Sequence, residues 1–78
     1  MEKEKEILND LINEILETKL IFKDIFYKIE NKKEYYIKLD YKDRTDTIYY
    51  NNFLQVVSYL QGIRKTIYSL ERILKNEK

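Results

Sequence analysis

Apolar side chains recur along the last third of the chain at Phe53, Val56, Leu60, Ile63, Ile67, Leu70 and Leu74, with spacings that alternate between three and four residues. That period places all seven on one stripe of a helix of about 25 residues. Asn52 followed by Gln55 has the form of a capping box, in which the Asn oxygen accepts a first-turn N–H. The same spacing suits either a buried face or a seam between helices of two chains. Gly62 falls inside this helix, where it costs about 1 kcal/mol relative to Ala.

The N-terminal segment carries a second helical stripe, Ile7, Leu8, Leu11, Ile12, Ile15 and Leu16, with Glu and Asn opposite. Its end is ambiguous. Counting onward at helical period brings Phe22, Ile25, Phe26 and Ile29 onto the stripe, which allows one helix to about residue 31. Residues 20–30 are nevertheless rich in Ile, Phe and Tyr, which favour strands.

Between the two stripes the period changes to two. Tyr35, Ile37, Leu39 and Tyr41 alternate with Tyr36, Lys38, Asp40 and Lys42, and after a polar turn comes Thr-Ile-Tyr-Tyr. A loop at Asn31-Lys32-Lys33 sets Ile29 opposite Tyr35, Tyr27 opposite Ile37 and Ile25 opposite Leu39. This register gives the sheet one apolar face, and a slip of one residue destroys it. The pattern predicts an α+β fold: helix, three-stranded antiparallel meander and long C-terminal helix, with both helices on one face (αβββα, two layers). The alternative is two long antiparallel helices joined by a β-hairpin (αββα). No Pro, Gly or Ser cluster divides residues 1–78, so a single small domain is expected.

Composition narrows the chemistry. The 78 residues include no Cys and no His. Disulfides, thiolate zinc sites and the usual general base are therefore absent. Ser58 and Ser69 both fall on the C-terminal helix without a base nearby in sequence, and there is no glycine-rich phosphate loop. The expectation is a protein that is not an enzyme and uses no cofactor. Asp40, Asp43 and Asp46 lack the Gly and the terminal Glu of a calcium loop, and Asp-Arg-Thr-Asp is good turn chemistry, so no metal site is expected.

Fifteen basic residues balance fourteen acidic ones, a net charge of +1 that exerts no general pull on nucleic acid or an anionic membrane. The longest apolar run, Leu20 to Phe22, is far too short to cross a bilayer. The opening Met1-Glu-Lys-Glu-Lys-Glu alternates charge, unlike a secretory signal. A cytoplasmic protein is expected, in a host cell's cytoplasm if the source is viral. Abundant Ile, Lys, Asn and Tyr with no Ala point to A/T-rich coding, as in a low-GC bacterium, its phage or plasmid, or a virus.

Tyrosine is the strongest functional cue. Five of the eight tyrosines lie within residues 35–50, a density for which strand propensity and A/T-rich codons are one account and a recognition surface is another. Tyr offers large contact area at small entropic cost. The expected partner-binding surface is the sheet face turned away from the helices, assigned to Phe26, Tyr36, Ile48 and Tyr50 with Lys28 and Lys38 among them. The expected partner is a larger protein, and the most concrete version is an anti-defence inhibitor from a phage or other mobile element, of the anti-CRISPR type. One alternative is a nucleic-acid-binding accessory protein using Lys28, Lys38, Lys42 and Arg44. It is less favoured because bases and acids balance over residues 33–51. The other is an oligomer that sequesters a nucleotide between Tyr and Lys. A long final helix over a short sheet also leaves apolar surface to cover, so a homodimer or higher oligomer is expected, with Phe53, Val56, Leu60, Ile63, Ile67, Leu70 and Leu74 serving as core or self-association seam.

Overall fold

A computed structural model describes residues 2–76. The elements are α1 (Glu2–Glu17), β1 (Phe22–Glu30), β2 (Glu34–Tyr41), β3 (Thr45–Tyr50) and α2 (Phe53–Asn76). The strands form one antiparallel sheet in the order β1-β2-β3, and both helices cover the same face. This is the αβββα arrangement that the pattern of apolar positions predicts.

Each boundary has a local cause. α1 begins with Glu2 and Glu4 at its positive dipole end. It stops where the Thr18 hydroxyl donates to the Ile15 carbonyl at 2.9 Å and Lys19 turns left-handed, with φ 55°. The chain then enters β1, so the β-branched and aromatic run at residues 22–30 is strand. α2 is capped as expected: Asn52 Oδ1 accepts the Leu54 N–H at 2.8 Å and the Gln55 N–H at 3.4 Å.

The β1–β2 register matches expectation at all three pairs, Ile25 with Leu39, Tyr27 with Ile37 and Ile29 with Tyr35. At the other end of β1 the pairing shifts between Phe22 and Asp24, a bulge at Lys23. The extra residue turns Phe22 to the same side as Ile25, and its ring meets Tyr41 at 4.9 Å between centroids.

The β1–β2 turn holds two consecutive left-handed residues, Asn31 (φ 51°) and Lys32 (φ 59°), closed by Lys33 N–H donating to the Glu30 carbonyl at 3.1 Å. Positive φ at both central residues is the mark of a type I′ turn, which suits hairpins. Asn tolerates that conformation and Lys does not, at a cost of roughly 1 kcal/mol. Lys32→Gly is therefore expected to stabilise the protein by about 1 kcal/mol in urea melts. A loss of stability would show that Lys32 makes contacts that outweigh the strain.

The core lies between the sheet and the helices: Leu8, Leu11, Ile12 and Ile15 from α1, Phe22, Ile25, Tyr35, Ile37 and Leu39 from the sheet, and Val56, Leu60 and Ile67 from α2. Glu4 accepts a 3.5 Å hydrogen bond from Tyr35, whose ring stands 6.0 Å from Phe53, while Glu14 pairs with Arg64 at 2.5 Å. The helices therefore run parallel, and α1 ends level with about the middle of α2. Of the seven-residue seam, Val56, Leu60 and Ile67 are buried and Phe53 and Ile63 are half-buried in this core. Leu70 and Leu74 project beyond it into solvent, 39% and 51% exposed.

Candidate binding face on the open side of the sheet

Neighbouring residues across an antiparallel sheet share a face, so the pairing lists the open side row by row. Glu30 faces Glu34; Lys28, Tyr36 and Tyr49 form the next row; Phe26, Lys38 and Thr47 follow; Asp24, Asp40 and Thr45 complete the face. No element of the fold packs against these rows. Phe26 is 48% exposed and Tyr49 50%, while Tyr36 is half-buried between its neighbours.

Four of the six residues expected here, Phe26, Lys28, Tyr36 and Lys38, lie on this face. Ile48 and Tyr50 do not. Ile48 pairs with Ile37 and Tyr50 with Tyr35, both inward-facing, and the Tyr50 ring stacks 5.8 Å from Tyr59 of α2. The cause is the β2–β3 turn. Tyr41 N–H donates to the Arg44 carbonyl at 2.8 Å, leaving only Lys42 and Asp43 in the loop. A two-residue loop exchanges odd and even positions between the strands it joins, whereas the β1–β2 loop preserves them. Tyr49, and Thr47 beside Lys38, therefore occupy the places expected of Tyr50 and Ile48.

The rings on the open face are held by their neighbours. Tyr36 and Tyr49 pack against each other with centroids 5.2 Å apart and planes at 51°. The Lys38 ammonium stands 5.7 Å from the Phe26 ring centre. Lys28 pairs with Glu30 at 2.7 Å, and the Tyr36 hydroxyl donates to Glu34 at 3.4 Å. An aromatic diagonal thus crosses the middle of the sheet, edged by carboxylates at both ends. Among the paired residues of this face, four carboxylates stand against two ammonium groups, a net charge of −2.

The basic residues considered for nucleic acid are not gathered together. Lys28 and Lys38 are on the open face, Lys42 is in the turn, and Arg44 lies over the Tyr41 ring at 4.3 Å while pairing with Asp46 at 3.4 Å. The aspartates of the same hairpin are also in structural use: Asp40 accepts from the Thr45 hydroxyl at 3.3 Å, and Asp46 holds Arg44. Among the described residues no cluster of three or more metal-ligating side chains is present. No described helix is long and apolar enough to cross a membrane.

Three of the phenols, Tyr35, Tyr36 and Tyr59, are poor acids in this setting. Burial, then the Glu4 carboxylate, raises the pKa of Tyr35 above the ordinary 10.0; burial, then Glu34 and Glu30, raises Tyr36; burial, then Tyr41, raises Tyr59. The hydrogen bond to Glu30 likewise raises Lys28. All four hold their protons longer folded than unfolded, so their contribution to stability is complete below about pH 10 and declines as pH rises past it. The urea midpoint is expected to fall from about pH 10 upward, with no rise on the alkaline side. A midpoint that climbs between about pH 9 and pH 11 would contradict these environments.

A second concavity runs between α2 and the end of the sheet, an apolar groove of about 600 Å³ that includes Ile21, Phe22, Tyr41, Tyr59, Gly62 and Ile63. Nothing in the apolar pattern announces it, because it depends on the bulge that turns Phe22 inward. No family model, no curated protein and no solved structure matches this chain.

Proposed function

We propose that this is a non-enzymatic binding protein whose open sheet face docks on the surface of a larger protein. The observation that carries the reading is the diagonal of Phe26, Tyr36 and Tyr49, the outer two rings half exposed and Tyr36 packed between its neighbours, on a face edged by charged residues. Aromatic side chains at the centre of a patch with a polar rim are the usual anatomy of a protein–protein contact. Rings already held by neighbours lose little entropy on docking. An inhibitor of a host defence system encoded by a phage or plasmid is the concrete form of this reading. It is supported by the small size and the A/T-rich residue usage, while the docking mode itself is independent of it.

The same face favours protein over the other partners considered. Its net charge of −2 opposes phosphate backbones, whose binding needs uncompensated cations. The Tyr36 and Tyr49 rings touch each other, which leaves no slot between them for a base. Fluorescence anisotropy with single- and double-stranded probes at low salt is expected to show no binding. Binding there that weakens steeply with added salt would replace this reading with the nucleic-acid one.

A further inference from the structure

β3 is an edge strand, paired with β2 on one side only. The Tyr41–Arg44 hydrogen bond fixes the alternation along it, so Arg44, Asp46, Ile48 and Tyr50 bond inward to β2, and Thr45, Thr47 and Tyr49 direct their N–H and C=O groups outward. Natural edges are commonly blunted by Lys, Pro or a bulge. The other edge, β1, has a bulge at Lys23 as well as Lys28. β3 has no Lys, Pro or bulge; its one charge, Asp46, is paired with Arg44, and the rest of Thr-Asp-Thr-Ile-Tyr-Tyr is strand-forming.

The helix above this edge shows the matching feature. Tyr59 of α2 stacks on Tyr50 of β3, whereas Arg64 reaches Glu14 of α1, so opposite flanks of α2 look toward the β3 edge and toward α1. The β3-side flank carries Gln55, Tyr59, Gly62, Thr66, Leu70 and Ile73, a row without a single charge. The charged residues of α2 between Phe53 and Asn76, which are Arg64, Lys65, Glu71, Arg72 and Lys75, all fall outside it. In a chain that is 37% charged, this is the flank least opposed to meeting its own copy.

Gly62 sits at the middle of that row. A Cβ there would meet nothing within 4 Å, so no contact within the chain requires a glycine. Tyr59 lies against Tyr50, and Gly62 and Thr66 border the same groove as Tyr41, so Gly62 falls between the levels of the two ends of β3. A twofold axis near the middle of β3 then passes close to Gly62, where two helices crossing closely need a residue without a side chain.

We infer that the protein forms a twofold dimer in which β3 pairs antiparallel with β3 of a second copy, making a six-stranded sheet, while α2 crosses its partner at Gly62. A strand of about 20 Å lies below a helix of about 36 Å along this flank, so the two copies meet through both layers. The open sheet face stays free and is doubled, with Tyr49 of each copy beside the axis. The dimer does not depend on what docks there.

Sedimentation velocity from about 1 to 100 μM tests the inference, with a species of twice the 9.7 kDa chain mass expected. Gly62→Leu and Thr47→Pro are each expected to weaken self-association at least about 30-fold while keeping the wild-type circular dichroism spectrum. Ile73→Glu, at a position of α2 that is 54% exposed, is expected to do the same and guards against misfolding of the proline variant. Phe26→Ser is expected to leave the dimer intact. A wild-type monomer at 100 μM, or a dimer that survives Gly62→Leu, overturns the inference. A dimer lost in Gly62→Leu and kept in folded Thr47→Pro overturns the strand pairing.

Discussion

Ile37→Ala is expected to remove most of the protein's stability, about 3 kcal/mol in urea unfolding followed by circular dichroism. Ile37 is fully buried on the central strand, with Tyr27 opposite it on one side and Ile48 on the other. Removing its three outer carbons forfeits their transfer free energy and leaves a cavity that strands paired on both sides cannot close. Across proteins such changes cost about 2–5 kcal/mol. A core of twelve buried residues in a domain of this length supplies only about 3–5 kcal/mol of net stability in all. The variant should therefore be largely unfolded at 37 °C. A loss below about 1 kcal/mol would mean that the layers close over the gap and that the packing described here is loose. The comparison is made at equal chain concentration, since any association of chains would add to apparent stability.

Replacing Phe26 and Tyr49 together by serine is expected to have the opposite profile: the fold stays and partner binding is lost. Both rings are about half exposed and stand on strands whose pairing does not depend on them. Their removal forfeits only the Tyr36–Tyr49 ring contact and the Lys38–Phe26 contact, together about 1–2 kcal/mol of stability. At a docked interface the same rings would be central, desolvated anchors. Truncating such an anchor costs 2 kcal/mol or more, so the double variant should bind its protein partner at least about 100-fold more weakly. The control is Leu54→Ser, which removes an exposed side chain from α2, outside the open face, and should bind as the wild type does. Equal affinity of wild type and the double variant would show that the partner contacts another surface.

How much of this could be read from the residues differs from strand to strand, for physical reasons. The β1–β2 register was legible because Ile25, Tyr27 and Ile29 alternate cleanly against Tyr35, Ile37 and Leu39, so one register alone buries both rows. The start of α2 was legible in Asn52, a side chain with a specific task at that position. The face of β3 was not. Ile48, Tyr49 and Tyr50 are consecutive and large, so alternation does not say which of them turns inward. The decision fell to loop length, and Lys42-Asp43 lacks the Asn-Gly or Asp-Gly signature that announces a two-residue hairpin. Phe26, Lys28, Tyr36 and Lys38 therefore fall on the open face as expected, while the third strand's residues are displaced by one. The heptad row of α2 was legible as a row. Its spacing does not encode that Val56, Leu60 and Ile67 meet the chain's own sheet while Leu70 and Leu74 pass beyond it.

The most direct measurement of the central claim is site-specific photo-cross-linking in a lysate of the organism that encodes the chain. A benzoyl-phenylalanine is placed in turn at Phe26, Tyr36 and Tyr49 on the open face and at Leu54 on α2. One covalent adduct with the same larger protein is expected from all three sheet positions and none from Leu54. An adduct from Leu54 with none from the sheet positions would contradict that claim.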